Sequence, residues 1–382
     1  MLQSLSDRSY YSSLADCIYL NQASLGLIGQ PAVMAMHAFL DDVGRHGNMN
    51  MSDSDEVAYF SEVREQATAI LTCAPERLAI TSSAGEMLSQ LPYLFRPPVG
   101  CGILAVSSDF PAITRPWIAY AAKNGRNLRF VEEQSSDDLT DILIENLDER
   151  ISVVAVSYVQ FSTGTRVDIP RLREATRRSG ALLIVDVTQA AGAIPVDTSG
   201  WDADVVVCSG YKWLGGHGGV GLAVMSPKFL EQCPPLPGWM GAPDPFDFQA
   251  TKLPLADDAR RYTQSTMSYI SLRGLTVAIS ELLSLGLNVI ETHAVALARL
   301  LVENLEGSGW TPFRAIDDKA ASGHIVSLSH KGCEIERAIA ALRSQQIVCS
   351  GRNGRIRVSL AHFNDESDVQ ALIRVLQQVS FR

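Results

Sequence analysis

Short apolar runs recur through the first half of the chain at regular intervals. RLAIT at 77–81, GILAVS at 102–107, LRFVE at 128–132, SVVAVS at 152–157 and ALLIVD at 181–186 have strand length. Near-continuous apolarity over so few residues predicts strands buried on both faces. Helix-like stretches lie between them, near 85–95, 112–124, 138–148 and 170–179, and two more precede them at 31–47 and 54–72, with Pro31 placed to open the first. Strand–helix alternation predicts an α/β domain with a mostly parallel sheet. The alternation loosens after GGHGGVG, and a Pro-rich stretch at 233–248 breaks it. A long helical pattern follows over roughly 269–307, and the tail from about 308 mixes helix and strand. The expected organisation is an N-terminal arm, 1–30, that joins a small domain; a large domain, 31–268; and a long helix with a small α+β domain, 269–382. Ligands of open α/β sheets bind at the carboxyl ends of the strands, so chemistry belongs just after the apolar runs.

Composition narrows the classes. The chain has 382 residues, too many for one ordinary core, which fits a large domain plus a smaller one. A formal net charge of −10 argues against nucleic acid or an anionic membrane as the main partner. No apolar run is long enough to span a bilayer, and the start, MLQSLSDRSYYSSLADC, does not read as a signal peptide, so a cytoplasmic location is expected. Seven cysteines without a CxxC predict neither a disulfide framework nor structural zinc. His217, with no second ligand at metal spacing, reads as a loop residue.

Three segments carry candidate chemistry. In LLIVDVTQ an apolar run ends in Asp186, with Gln189 three residues on. A carboxylate at the end of a buried strand needs a cationic partner. The pyridinium nitrogen of pyridoxal 5'-phosphate (PLP) is one, and a helix N-cap is the other reading. In DVVVCSGYKWLGG a second strand ends in Ser209-Gly210-Tyr211-Lys212. Burial lowers a lysine pKa, as a Schiff-base amine requires, although a salt-bridged lysine fits the pattern too. In TSSAGEMLSQL, small residues between a strand and a helix offer backbone N–H groups to a phosphate.

With these segments in place, residues 182–224 resemble the core of the class V aminotransferases, fold type I of the PLP enzymes. That family includes cysteine desulfurases, selenocysteine lyases, kynureninase-like enzymes and isopenicillin N epimerase-like proteins. The similarity runs from YLNQASLG at 19–26 to RVSLAHFN at 357–364. It implies a large domain with a sheet of the seven-stranded type flanked by helices, a smaller C-terminal domain, and PLP as cofactor. It implies that Lys212 holds PLP as a Schiff base, that Asp186 partners the pyridinium, that Gln189 bonds the ring hydroxyl, and that Phe110 stacks on the ring. Ser83, Ala84, Gly85 and Ser209 would hold the phosphate. Thr266 would reach the phosphate of a neighbouring subunit, which implies a homodimer. Arg357 would clamp the carboxylate of an amino acid substrate, with Tyr211 beside it and Arg355 on the same side of the strand. Tyr158, Gln160, Trp239 and Trp117 are expected to line a pocket for a bulky substrate.

The resemblance leaves the reaction open among elimination, epimerisation, transamination, decarboxylation and desulfuration. Desulfurases carry a cysteine on a loop before the carboxylate arginine. Here that loop is short, and Cys349 sits ahead of it. The family without that cysteine points to a C–S lyase acting on a cysteine-derived amino acid by β-elimination. A catalytically silent binding subunit is the non-enzyme alternative; it would lack Lys212 or Asp186, and both are present.

Overall fold

The computed structural model describes residues 2–380. A two-residue strand, β1 (Ile18–Tyr19), precedes helices α1 (Gln30–His46) and α2 (Asp53–Leu71). Seven strands then form the central sheet: β2 (Leu78–Thr81), β3 (Gly102–Val106), β4 (Asn127–Val131), β5 (Ile151–Ser157), β6 (Leu182–Asp186), β7 (Val205–Ser209) and β8 (Gly221–Met225), in the order β2-β8-β7-β6-β5-β3-β4. All run parallel except β8, which is antiparallel to both β2 and β7. Every residue of β2, β3 and β8 is buried, as near-continuous apolar runs require of strands covered on both faces.

Between the strands lie α3 (Ala84–Phe95), α4 (Pro111–Asn124), α5 (Leu139–Glu145), α6 (Ile169–Ser179) and the single-turn α7 (Thr198–Trp201), and a second single-turn helix, α8 (Pro227–Leu230), follows β8. Their starts follow local chemistry. Pro111 and Pro170 occupy the first turn of α4 and α6, while Ser83, Asp138 and Asp168 accept backbone N–H bonds as N-caps of α3, α5 and α6.

The helical pattern over 269–307 is two helices rather than one. α9 (Tyr269–Leu285) and α10 (Leu287–Asn304) meet at a 75° bend. The cause is Gly286, at φ 82°, a conformation that side chains resist. α9 packs on α1 and α2, and its buried Leu272, Leu275 and Ile279 belong to the core that covers one face of the central sheet.

A second core gathers Leu297 and Leu301 of α10 with Leu20 of the N-terminal arm, and lies against a second sheet. That sheet is antiparallel, with β9 (Trp310–Pro312), β10 (Ile325–His330), β12 (Ser350–Arg352) and β13 (Arg355–Ser359) in the order β12-β13-β10-β9. α11 (Ile335–Ser344) and α12 (Glu366–Ser380) cover it, while β11 (Ile347–Val348) pairs with β1. The arm thus completes the smaller unit from the far end of the sequence. Among the described residues no single helix is long and apolar enough to cross a membrane.

Candidate active site

The carboxyl ends of β5, β6 and β7 and the start of α3 enclose a cavity of about 210 Å³. Ser83, Ala84, Gly85, Phe110, Asp186, Gln189, Ser209, Tyr211 and Lys212 all line it.

Lys212 sits two residues beyond the Ser209-Gly210 end of β7 and is only 5% exposed. Its amine has neither a hydrogen bond nor an ion pair among the described residues. It lies 5.0 Å from the centre of the Phe110 ring and 5.8 Å from that of Tyr211. Burial pushes its pKa down to about 8; Asp186 opposes that shift, and Arg357 and Arg352 add to it. The lysine is not spent in a salt bridge.

Asp186 ends β6. Burial raises its pKa, while the Thr188 N–H, donating to Oδ1 at 2.7 Å, and the charge of Lys212 pull it down. Thr188 also accepts from Ser209 N–H at 3.1 Å, which ties the ends of β6 and β7 together. The Gln189 amide is held on both sides: Oε1 accepts from Trp213 Nε1 at 2.8 Å, and Nε2 donates to Ala23 O at 3.0 Å.

The start of α3 supplies an anion cradle. Ser83 Oγ accepts from Glu86 N–H, so the N–H groups of Ala84 and Gly85 stay free at the positive end of a twelve-residue helix. Gly221 on β8 lets this turn approach, because a Cβ there would overlap the Ser83–Ala84 backbone.

Arg357 projects from β13 near this cavity and is 1% exposed. It has no ion pair among the described residues. Nη1 donates to Phe161 O at 2.7 Å, and Phe161 lines the cavity. Burial pushes its pKa down to about 9. A buried guanidinium without a counter-anion is a site for one. Arg355 instead lays its guanidinium over Phe313, 4.7 Å from the ring centre.

A model of the family "Aminotransferase class-V" matches residues 18–372. This chain belongs to that family. Class-V aminotransferases are PLP-dependent enzymes, and PLP is its cofactor. The chain is 25% identical to the kynureninase of Bacillus anthracis over 95% of its length and 88% of the relative's. It is 22% identical to a probable cysteine desulfurase of Pyrococcus abyssi, over 95% and 94%. Among solved structures, a mutant of C-DES with glycine linked to the PLP cofactor superposes with a TM-score of 0.90, at 20% identity and over 98% and 100% of the two chains. A complex of the cystine C–S lyase C-DES with cysteine persulfide gives 0.88, at 20% identity and over 97% and 99%. The apo cysteine desulfurase of Thermococcus onnurineus gives 0.86, at 21% identity and over 98% and 97%.

The donor set suits this class-V cofactor: an unpartnered buried amine for its aldehyde, a buried carboxylate for its ring nitrogen and free helix N–H groups for its phosphate.

One expectation changes. Tyr158, Gln160, Trp239 and Trp117 are not among the residues lining the Lys212 cavity. Trp117 is fully buried on α4 beside Phe95, and Tyr158 packs on Trp201. Gln160 bonds Asp109, and Trp239 joins Phe246 and Phe248 in a partly exposed cluster. Trp117 alone sits on the core face of a helix, whereas Tyr158 and Trp239 stay partly exposed away from this cavity. Thr266 is exposed and also stands outside the cavity of its own chain.

The structure adds positioning residues that the motifs did not reveal. Asp109 accepts from Phe110 N–H, from Ser157 N–H and Oγ, and from Gln160 Nε2, fixing the Phe110 turn to β5; burial pushes its pKa up to about 6. From the N-terminal arm, Gln22 Nε2 donates to Lys212 O and Gly26 N–H donates to Tyr211 O. A methyl at Gly26 would overlap the Lys212 carbonyl. No local pattern announces such contacts between residues some 190 positions apart.

Proposed function

We propose that this class-V enzyme is a C–S lyase that eliminates the sulfur substituent from a cysteine-derived amino acid. The observation that carries this reading is the placement of Cys349. It lies between β11 and β12, packs against the small-domain core, and burial pushes its thiol up to about 12. The segment between it and Arg357 is a tight hairpin whose turn is Asn353-Gly354, both at positive φ. A half-buried thiol whose pKa is raised, set behind a two-residue turn, is a poor attacking group. Elimination needs no enzyme thiol.

When bound, PLP supplies the electron sink next to the substrate's Cα. Asp186 would keep the proton on the ring nitrogen. Phe110 would cover one ring face, Gln189 would offer its second Nε2 hydrogen to the ring hydroxyl, and Ser83, Ser209 and the α3 N–H groups would hold the phosphate. Arg357 takes the α-carboxylate and Tyr211 flanks it. Lys212 Nζ removes the Cα proton. The electrons released form Cα=Cβ, and the Cβ–S bond breaks with its pair on sulfur. Hydrolysis of the enamine yields pyruvate and ammonia beside the thiol.

The Cys349→Ser variant should therefore keep at least about half of the activity, since it alters only packing. Pyruvate rather than alanine should accumulate from a cysteine S-conjugate. Lost turnover with PLP still bound, and alanine as product, would make the enzyme a desulfurase. The kynureninase relatives favour a second reading, cleavage of a carbon–carbon bond at Cβ. Turnover of kynurenine while S-conjugates stay inert would establish it.

The same reading includes a homodimer in which Thr266 reaches the partner's phosphate site. Its support is the exposure of Thr266, just ahead of α9 and away from its own cavity. Equal amounts of Lys212→Ala and Thr266→Ala chains, dissociated and mixed, should recover about a quarter of wild-type activity. Half the dimers are then mixed, each with one complete site. No recovery on mixing, or a fully active monomer in light scattering, would count against shared sites.

A further inference from the structure

We propose that Arg352 and Arg357 form a paired clamp selecting amino acid substrates whose side chain carries a second anionic group a short distance from the α-carboxylate. This deepens the reading of Arg357 as the α-carboxylate site and rests on it.

The register of the β12–β13 hairpin sets Arg352 opposite Arg355 and Ser350 opposite Arg357, so all four side chains leave one face of the sheet. Arg355 turns away to Phe313. The other two converge on a single oxygen. Arg357 Nη2 donates to Ser24 Oγ at 2.5 Å and Arg352 Nη2 donates to it at 3.2 Å, which puts the two guanidiniums within about 6 Å of each other. Ser24 gives its own proton to Asn21 Oδ1 at 2.8 Å. Two cations therefore share the lone pairs of one neutral hydroxyl.

No carboxylate relieves them: neither arginine has an ion pair among the described residues. Their remaining contacts are backbone carbonyls, Phe161 O for Arg357 and Gly351 O for Arg352, each at 2.7 Å. Arg357 Nε is buried with no acceptor at all. Like charges this close, facing only neutral dipoles, repel across a partly dry site. Ordinary structural arginines are arranged the other way, as Arg173 is against buried Asp204 at 2.9 Å.

One carboxylate answers only half of this arrangement. Arg357 suffices for it, because the free Nε and a further Nη hydrogen offer a two-pronged face. Arg352 is then surplus for a simple amino acid. The depth of the two groups assigns their partners. Arg357 is fully buried and takes the α-carboxylate, whereas Arg352 is half-buried and meets what projects from Cβ. Arg357 reaches the cavity wall through the carbonyl of Phe161, and Arg352 joins it at Ser24.

Two unreactive probes of equal carbon number, butyrate and succinate, test the pairing by calorimetric titration of the PLP-loaded enzyme. Succinate should bind at least about tenfold more tightly than butyrate, as an added charge-assisted contact allows. Arg352→Gln should bring succinate to within about twofold of butyrate and leave butyrate unchanged, while Arg352→Lys keeps the preference. Equal affinity for the two probes in the wild type overturns the proposal. So does an Arg352→Gln variant that weakens both probes alike, since Arg352 would then be a second hand on the same carboxylate. Arg357→Gln separates the two levels of the argument. Loss of butyrate binding in that variant supports the site, and retained binding means that Arg357 is not a carboxylate site and the clamp falls with it. Circular dichroism and PLP absorbance verify that each variant is folded and loaded.

Discussion

Lys212→Ala should abolish turnover, by at least about 10,000-fold, because one group is removed from two roles, cofactor attachment and proton removal at Cα. Borohydride treatment of the PLP-loaded wild type should leave the reduced cofactor's mass on the peptide containing Lys212, and the variant should show no such mass. An adduct on another lysine would refute the assignment. The same residue predicts a pH profile. An amine attacks an aldehyde as the free base, and burial brings Lys212 from the ordinary 10.5 down to about 8. At pH 7 roughly one amine in ten is then neutral, against about one in 3,000 for an unshifted lysine. Lowering the pKa enlarges the reactive fraction. PLP capture by the apoprotein, followed by absorbance after rapid mixing, should thus rise with pH and level off above about 8. A rate still climbing at pH 10 would mean that Lys212 is not shifted.

Asp186→Ala should come second in size. The carboxylate is buried at the end of β6, where the cofactor's ring nitrogen would be its counter-charge. Losing one partner of a buried charge pair costs about 3 kcal/mol or more, so kcat should fall about 150-fold or further. PLP should still attach, because Lys212 and the α3 cradle remain. Asp186→Asn, which keeps the shape and removes the charge, should be nearly as impaired. Near-normal kcat in either variant would show that the carboxylate does not hold the ring proton.

Wherever one segment decided the outcome, the sequence was sufficient. LLIVD, DVVVCSGYK and TSSAG each combine a buried strand with the turn that follows it, and the sheet brings those turns to one edge. Nine of the expected site residues therefore meet in a single cavity. Local pattern failed where packing chose between equivalent partners. Trp117 satisfies the same hydrophobic spacing whether it faces core or cavity, and the core took it, while Tyr158 packs half-buried on Trp201 beside a different cavity. The helical period runs through Gly286 without a break in apolarity, so only backbone conformation marks the bend. The short loop was legible, and the Asn353-Gly354 hairpin turn that closes it explains why no loop presents Cys349. Ser24 and Arg352 lie 328 residues apart, and no window of sequence holds both.

That separation also fixes an order in time. The amine, the ring carboxylate and the phosphate cradle are all synthesised by residue 212. Arg357 lies in the last twenty-six positions, and the strand that carries it is bonded to residues near position 20. A chain emerging from the ribosome therefore contains every proposed cofactor ligand of its own subunit long before it contains the proposed carboxylate site. The enzyme is chemically armed early, and it becomes selective only when its two ends meet.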